Sequence, residues 1–520
     1  MKKLTLLLCF VSFLTKAQNI TVASGKSFTI EKTGSVTMSG NFSNSGTFTL
    51  NSDSDEFSSI IIGGSVDEVN GNITYNRYVN SVGTNEWDLI GSPVSGQSIN
   101  SFVTANASTL ATNGTTYAIG PYNNATNSWT NLTSADLEGE IFFSIGMGFQ
   151  MASESGGTGI LKFTGNPAST TQTQAIINND AANSGTGTRW NLVANPFPSY
   201  IHANASADSS HNFLTVNSDK LDDSYEAIYG YDADGSGYTV YNNTSAALNL
   251  APGQAFMIAS DNTSTDNISF TTDMRTMAGG DDLILGRTMQ DSYGLILSIY
   301  KGDTEIDQTK FYFKEGLTLG LDPGYDAGHF NQLAALTSRL VEEDEGVGFA
   351  INSMGLESID DVVIPLEVNR ESGNGFRISI HTNDIYEGTN IYLEDNEQGT
   401  VTLLNEQDFE LTPQDNLSGA GRFFIHLTNT SLSIEDDIET HLLNVYKADI
   451  NNFITIEGTA NQSNQINLRI YNILGKEVVS KTLENNINTQ TISTQGLATG
   501  IYVIKLKSGN TVLTKKLIIN

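Results

Sequence analysis

Short apolar runs recur along the whole chain, many with apolar and polar residues alternating, and clusters of Gly, Asn, Asp and Ser separate them. A period of two bounded by turn formers is the signature of strands. An amphipathic helix instead needs a 3.6-residue period through Ala, Leu, Glu, Lys and Arg. Such runs are almost absent, and one short helix is expected, at residues 331–343. The pattern predicts an all-β, multidomain chain. Residues 19–73 hold very short strands (Phe28-Thr29-Ile30, Val36-Thr37-Met38, Thr47-Phe48-Thr49-Leu50, Ser59-Ile60-Ile61-Ile62) split by Thr33-Gly34, Ser39-Gly40-Asn41 and Ser45-Gly46. Strands this short bury only a narrow strip each. They make a core when rungs stack, so a solenoid-like unit or a meander is expected.

Residues 74–280 contain an internal repeat. Trp87-Asp88-Leu89-Ile90-Gly91-Ser92-Pro93 matches Trp190-Asn191-Leu192-Val193-Ala194-Asn195-Pro196. Gly146-Met147-Gly148-Phe149 matches Gly253-Gln254-Ala255-Phe256, and Leu161-Lys162-Phe163-Thr164 matches Ile268-Ser269-Phe270-Thr271. The offsets, 103, 107 and 107 residues, are steady enough to predict a duplicated β module, 74–180 and 181–280. Trp87 and Trp190 are expected to anchor the core of their own copies, because their apolar area outweighs the cost of placing one N–H. At least seven further strands between 281 and 430, from Leu295-Ile296-Leu297 to Arg422-Phe423-Phe424-Ile425, suit a β-sandwich. An acidic linker spans 431–445. Residues 446–520 read as a small antiparallel β-sandwich whose last strand reaches the terminus.

The N-terminus adds a compartment. Lys2 and Lys3 precede Leu4 to Leu14, an apolar run too short for a bilayer, and Thr15-Lys16-Ala17-Gln18 is polar. Residues 1–18 are therefore expected to be a signal peptide cut near Ala17 or Gln18. Cys9, inside it, is the only cysteine. A mature chain without it has no disulfide, no thiolate catalysis and no Cys-ligated metal. The chain carries 26 Lys plus Arg against 58 Asp plus Glu, net -32. Loss of residues 1–18 removes three lysines and no acid, leaving -35. Such a surface repels nucleic acid and anionic membranes and favours solubility, cations and basic partners.

Candidate chemistry is sparse. His202, His211, His329, His381, His426 and His441 form no metal-binding motif, and no Gly-x-Ser-x-Gly elbow occurs. With 58 acidic residues, chance carboxylate pairs are expected, and the sequence singles out none for glycoside hydrolysis. Calcium is the one candidate ion. Asp232, Asp234 and Ser236 occupy positions 1, 3 and 5 of a calcium-type loop with Gly237 at 6, but Asn243 stands where Glu is wanted at 12. Asp-Gly-Ser-Gly is also a common hairpin turn, and the turn is the preferred reading. Asp322 and Asp326 offer a second pair around a turn. No other cofactor is expected. Trp129, in the polar stretch Asn127-Ser128-Trp129-Thr130, is the candidate exposed aromatic for a ligand.

The sharpest motif lies in the tail. Tyr471-Asn472-Ile473-Leu474-Gly475-Lys476, then Gly500-Ile501-Tyr502-Val503, then Lys515-Lys516 follow one another in that order. This set resembles the type A C-terminal sorting domain of type IX secretion substrates of the Bacteroidota. Tyr471, Gly475, Lys476, Gly500, Tyr502, Lys515 and Lys516 are the positions that carry the resemblance. It implies passage through the periplasm and export by the type IX outer-membrane translocon and its shuttle protein, then release or anchoring to surface lipopolysaccharide. The body also resembles non-catalytic modules of flavobacterial surface proteins, through Trp87 to Pro93, Trp190 to Pro196 and Tyr392-Leu393-Glu394-Asp395. The leading expectation is an adhesin-like surface or secreted protein that binds a glycan or protein ligand. A structural matrix component and a polysaccharide hydrolase are the alternatives.

Overall fold

The structure, a computed structural model, describes residues 19–82, 87–139, 141–180, 187–232, 237–277, 279, 293–331, 333–386, 388–429, 443–447, 453–460, 465–472, 477–498, 500–508 and 511–519. They are almost entirely β. The first unit is a stack of short parallel rungs. Ile20–Val22 lies on Phe42–Asn44, Ser27–Ile30 on Thr47–Asn51, and Ser35–Met38 on Ser59–Ile62. The strand Ile73–Tyr78 extends the stack in parallel beyond Thr47–Asn51. Val22, Ile30, Met38, Phe42, Phe48, Leu50, Ile60 and Ile62 point into the coil and are buried. Gly46 lets the first turn close, since a Cβ there would sit 2.3 Å from the Lys26 carbonyl. The other edge of Ile73–Tyr78 pairs antiparallel with Ile160–Gly165. This strand lies across the boundary expected at residue 73, and one continuous core runs from Val22 to Phe163.

The stretches 74–180 and 181–280 have matching geometry. Asp88–Gly91 pairs with Gly148–Met151 in the first, and Trp190–Ala194 pairs with Ala255–Ala259 in the second. Each stretch carries a short helix that the sequence pattern does not reveal. Ile99–Ala105 starts at Ser98, whose hydroxyl accepts from Ser101 N, and Phe213–Asn217 starts at Asn212, whose side chain accepts from Thr215 N. Each helix is tied down by an asparagine. The Asn106 amide donates to the Phe102 and Lys162 carbonyls and accepts from Lys162 N; Asn217 does the same with Phe213 and Ser269. The two stretches meet reciprocally. Gly91 N donates to Gly253 O and Ala194 N to Gly146 O, both at 2.8 Å. A Cβ on Gly91 would lie 2.3 Å from that of Ala194, so the close approach demands glycine there.

Residues 293–429 build an eleven-stranded sheet around one apolar core. The sheet curls until Phe409, on its edge strand Phe409–Leu411, packs against Phe423 near the opposite edge, with ring centres 5.7 Å apart. The helix expected at 331–343 is not formed. Leu336–Ser338 is a strand paired with Asp361–Val368, and all three of its residues are buried. The Asp307 carboxylate accepts from Ala335 N and Leu336 N, which fixes the entry to that strand and leaves no register for a helical turn.

Trp190 does more than anchor its own stretch. Val193 faces the core of 181–280, whereas Trp190, Leu192 and Ala194 face the opposite side of their strand. There they share a second core with Tyr229, Met257, Tyr312, Ala350 and Ile351, which joins this stretch to the sandwich. Trp87, by contrast, packs half-buried on the core of the first module. The turn 322–326 pins the same junction. Asn243 N bonds to Gly324 O at 2.9 Å, and the Asn242 amide and the Ser353 hydroxyl both donate to Tyr325 O. Asp326, fully buried, accepts from Asp322 N at 2.7 Å and Ser353 N at 2.6 Å. Burial nonetheless pushes its carboxyl up to about 7, against the lowering effect of those two N–H groups.

The C-terminal unit is two antiparallel sheets face to face. Asn444–Lys447, Phe453–Glu457 and Thr489–Ser493 form one; Ile466–Asn472, Glu477–Leu483, Gly500–Ser508 and Thr511–Ile519 form the other. Val445, Ile454, Ile456, Leu468, Ile470, Ile504 and Leu506 fill the space between them.

Two predictions test this architecture. Arg77 is fully buried, donates to the Pro252 and Tyr78 carbonyls and lies 4.1 Å over the Phe57 ring, so it ties the rung stack to the second module. Arg77→Met orphans those carbonyls and should cost about 2–4 kcal/mol in denaturant titration. Asp326 has a folded pKa above its unfolded value of 3.8, so its stabilising effect is complete below about 4 and is lost as pH rises through about 7. Asp326→Asn should therefore flatten the fall of Tm between pH 4 and 7, measured by thermal melts against the wild type.

Candidate functional site

A cleft of about 1620 Å³ opens between residues 181–280 and the sandwich. Its apolar wall is built from the junction. Trp190 opens its strand on the face that looks toward the sandwich. Phe330 follows Ala327–Gly328 and lies 4.4 Å from Trp190 and 3.9 Å, stacked, from Tyr238. Gly328 makes this approach feasible, because a Cβ there would fall 2.4 Å from the Tyr225 ring. Its carbonyl also accepts from the Tyr229 hydroxyl at 2.8 Å. Tyr225 stands edge-on to Trp190 at 5.6 Å. Four rings thus line one side of the opening.

Charged groups surround them. Arg189 bonds to Asp222 at 2.6 Å and Asp180 at 2.8 Å, and its guanidinium lies 4.8 Å over the Tyr225 ring. Burial raises the Asp222 carboxyl above its usual range, with Arg189 opposing. Asp223, Asp261, Glu305 and Glu345 add carboxylates to the lining. His329 is held 3.3 Å from Asp307. Lys310, which follows buried Thr309 on Thr304–Phe313, reaches the floor beside Ala350 and Ile351. Among the described residues its ammonium has no hydrogen-bond or ion-pair partner. Burial lowers it to about 8, with Glu305 opposing. Trp190 and Tyr225 are buried behind the wall, and the half-buried Tyr238 and Phe330 present the apolar surface, with carboxylates and an amine nearby.

The residues singled out from the sequence lie elsewhere or beside this cleft. Trp129 is half-buried in the junction core, 5.1 Å from the Tyr122 ring. The Tyr122 hydroxyl reaches Asn127, which lines the cleft. Asp232 ends the strand Ile228–Asp232 and Gly237 begins its hairpin partner, while Asp234 and Ser236 lie outside the described residues. Asp322 accepts from Thr318 N and its hydroxyl, so it and Asp326 use their oxygens to close their own turn. Among the described residues no three His, Asp or Glu side chains gather as a metal site. In the tail, Tyr471 is half-buried in Ile466–Asn472, and Tyr502 is buried with its hydroxyl on Ala498 O at 2.8 Å. Gly500 pairs with Ile519, Lys515 with Ile504, and Lys516 with Val503; Gly475 and Lys476 lie outside the described residues. Arg189, Asp222, Lys310 and Phe330 gave no sequence signal. They come from segments up to about 140 residues apart and belong to no motif.

Two family models match the chain. One, described as Domain of unknown function (DUF8693), covers residues 10–427, and the other, Secretion system C-terminal sorting domain, covers residues 444–520. No curated protein matches. The tail is thus a sorting domain, and the chain is a type IX secretion substrate that is exported across the outer membrane to the cell surface or the medium. With the first match spanning most of its length, the protein belongs to the DUF8693 family and bears a C-terminal secretion sorting domain.

Proposed function

We propose that this exported protein is a non-catalytic, adhesin-like binding protein that takes a glycan chain in the cleft between its second β module and its sandwich. The observation that carries the reading is the stacked, half-buried pair Tyr238 and Phe330, backed by buried Trp190 and Tyr225 and flanked by carboxylates. Sugar rings present flat C–H faces to aromatic rings and hydroxyl edges to carboxylates, so this wall matches both halves of a saccharide. Behind the wall, residues 181–280 are tied to residues 74–180 by the Gly91–Gly253 and Ala194–Gly146 bonds. The cleft is built on strands and locked turns, which keeps the rings in place before a ligand arrives. Export to the outside of the cell places it where glycan chains are met.

Affinity electrophoresis against a panel of neutral and acidic polysaccharides tests the reading. At least one polysaccharide should retard the wild type. Phe330→Ala, which removes the ring stacked on Tyr238, should weaken that retardation about tenfold, the scale of one lost aromatic contact. Retardation by no member of the panel, or equal retardation of the variant, would count against the cleft as the binding site.

A further inference from the structure

The sandwich and the sorting domain touch, and the groups buried between them are charged. Arg339 is 5% exposed. Its Nε and Nη2 both donate to Glu367, at 2.9 and 2.6 Å, and its Nη1 lies 3.9 Å from Asp344. Above it, at 5.1 Å, lies the ring of Tyr446, which belongs to the sorting domain. Tyr446 donates its hydroxyl to Glu457 on the next strand at 2.8 Å, and Asn444 donates to Asp344 at 3.1 Å. At the far end, Lys515 of the last strand donates to Val341 O at 2.5 Å. Two glycines of the sandwich make room. A Cβ on Gly346 would lie 2.8 Å from the Tyr446 ring, and one on Gly421 would lie 2.7 Å from the Glu457 Cβ.

A face like this is specific but weakly held. Desolvating Arg339, Asp344, Glu367 and Glu457 costs about as much as their mutual attraction returns. Glu457 Oε2 and Arg339 Nη1 also make no hydrogen bond among the described residues. Such a contact aligns two bodies and can still open. Burial pushes Glu457 up to about 7, with Arg339 opposing, and it lowers Lys515, with Asp344, Glu342 and Glu343 opposing.

We propose that the face formed by Arg339, Val341, Asp344, Gly346 and Gly421 is a docking surface for this chain's own sorting domain, and that docking withholds Lys515 from any other partner until the contact opens. Lys515 is one of the positions that carry the sorting motif, so the body governs when the tail can be read. Lys505 and Lys507, on the neighbouring strand of the same domain, are exposed and supply an internal standard.

The test is amine acylation of the full chain lacking residues 1–18 at pH 8, read lysine by lysine by mass spectrometry. In the wild type Lys515 should label about tenfold more slowly than Lys505 and Lys507, as expected for an amine reached only by local opening. Arg339→Met removes the clamp from the body side and Tyr446→Ala from the tail side. Each should bring Lys515 to the rate of Lys505, and agreement between them guards against one variant misfolding. Labelling of Lys515 as fast as Lys505 in the wild type would overturn the proposal. Slow labelling in both Arg339→Met and Tyr446→Ala would do the same, because the strand itself would then be the cause.

Discussion

The apolar strip under Trp190 is the contact on which the body of the molecule depends. Trp190, Tyr229, Met257, Tyr312, Ala350 and Ile351 come from two sheets, and neither sheet buries them alone. The same holds at each level. The rung stack completes its core on residues 74–180, and backbone hydrogen bonds join that stretch to 181–280. Strands of three to five residues bury too little area to stand alone, so stability has to be shared across boundaries. With Cys9 as the only cysteine, no disulfide within the chain can substitute for that sharing.

The abundance of Asn, Ser and Thr follows from the same constraint. Many connections run through the interior, where every backbone N–H and C=O needs a partner. Asn195 donates to the Ser199, Leu250 and Ala251 carbonyls and accepts from Phe197 N, and Asn204 bonds to the carbonyls of Asn242 and Ala246. These amides do locally what a strand ladder does elsewhere. They let irregular segments be buried, and Asn242, whose amide donates to Tyr325 O, does this beside the cleft.

Much of this was legible in the chain. Short alternating runs revealed the β class, the stacked rungs and the sandwich strands, because a period of two is a local property. The tail was legible because Tyr471, Gly500, Tyr502 and Lys515 form an ordered motif. The helices Ile99–Ala105 and Phe213–Asn217 were not, since two turns or fewer give no period to detect. Residues 331–343 misled because Ala334, Ala335, Leu336 and Leu340 are good helix formers, whereas Asp307, remote in sequence, sets their backbone. The part Trp190 plays at the junction was not legible either, because Tyr312, Ala350 and Ile351, which extend its core, lie more than 120 residues away. The cleft was invisible, as its rings and charges converge from separate units.

The long-range ties have a consequence for how the chain reaches its native state. Arg77 is bonded to Pro252, 175 residues away, and Arg275 to Ile62, 213 residues away. Ile60 N reaches Pro198 O. Closing such loops costs entropy before any contact repays it, so folding is slow where these separations dominate. A chain delivered N-terminus first presents its rung stack long before Pro198, Pro252 or Arg275 arrives to cover it. Its early strands therefore spend that interval with open edges, and the second module is the signal that ends it.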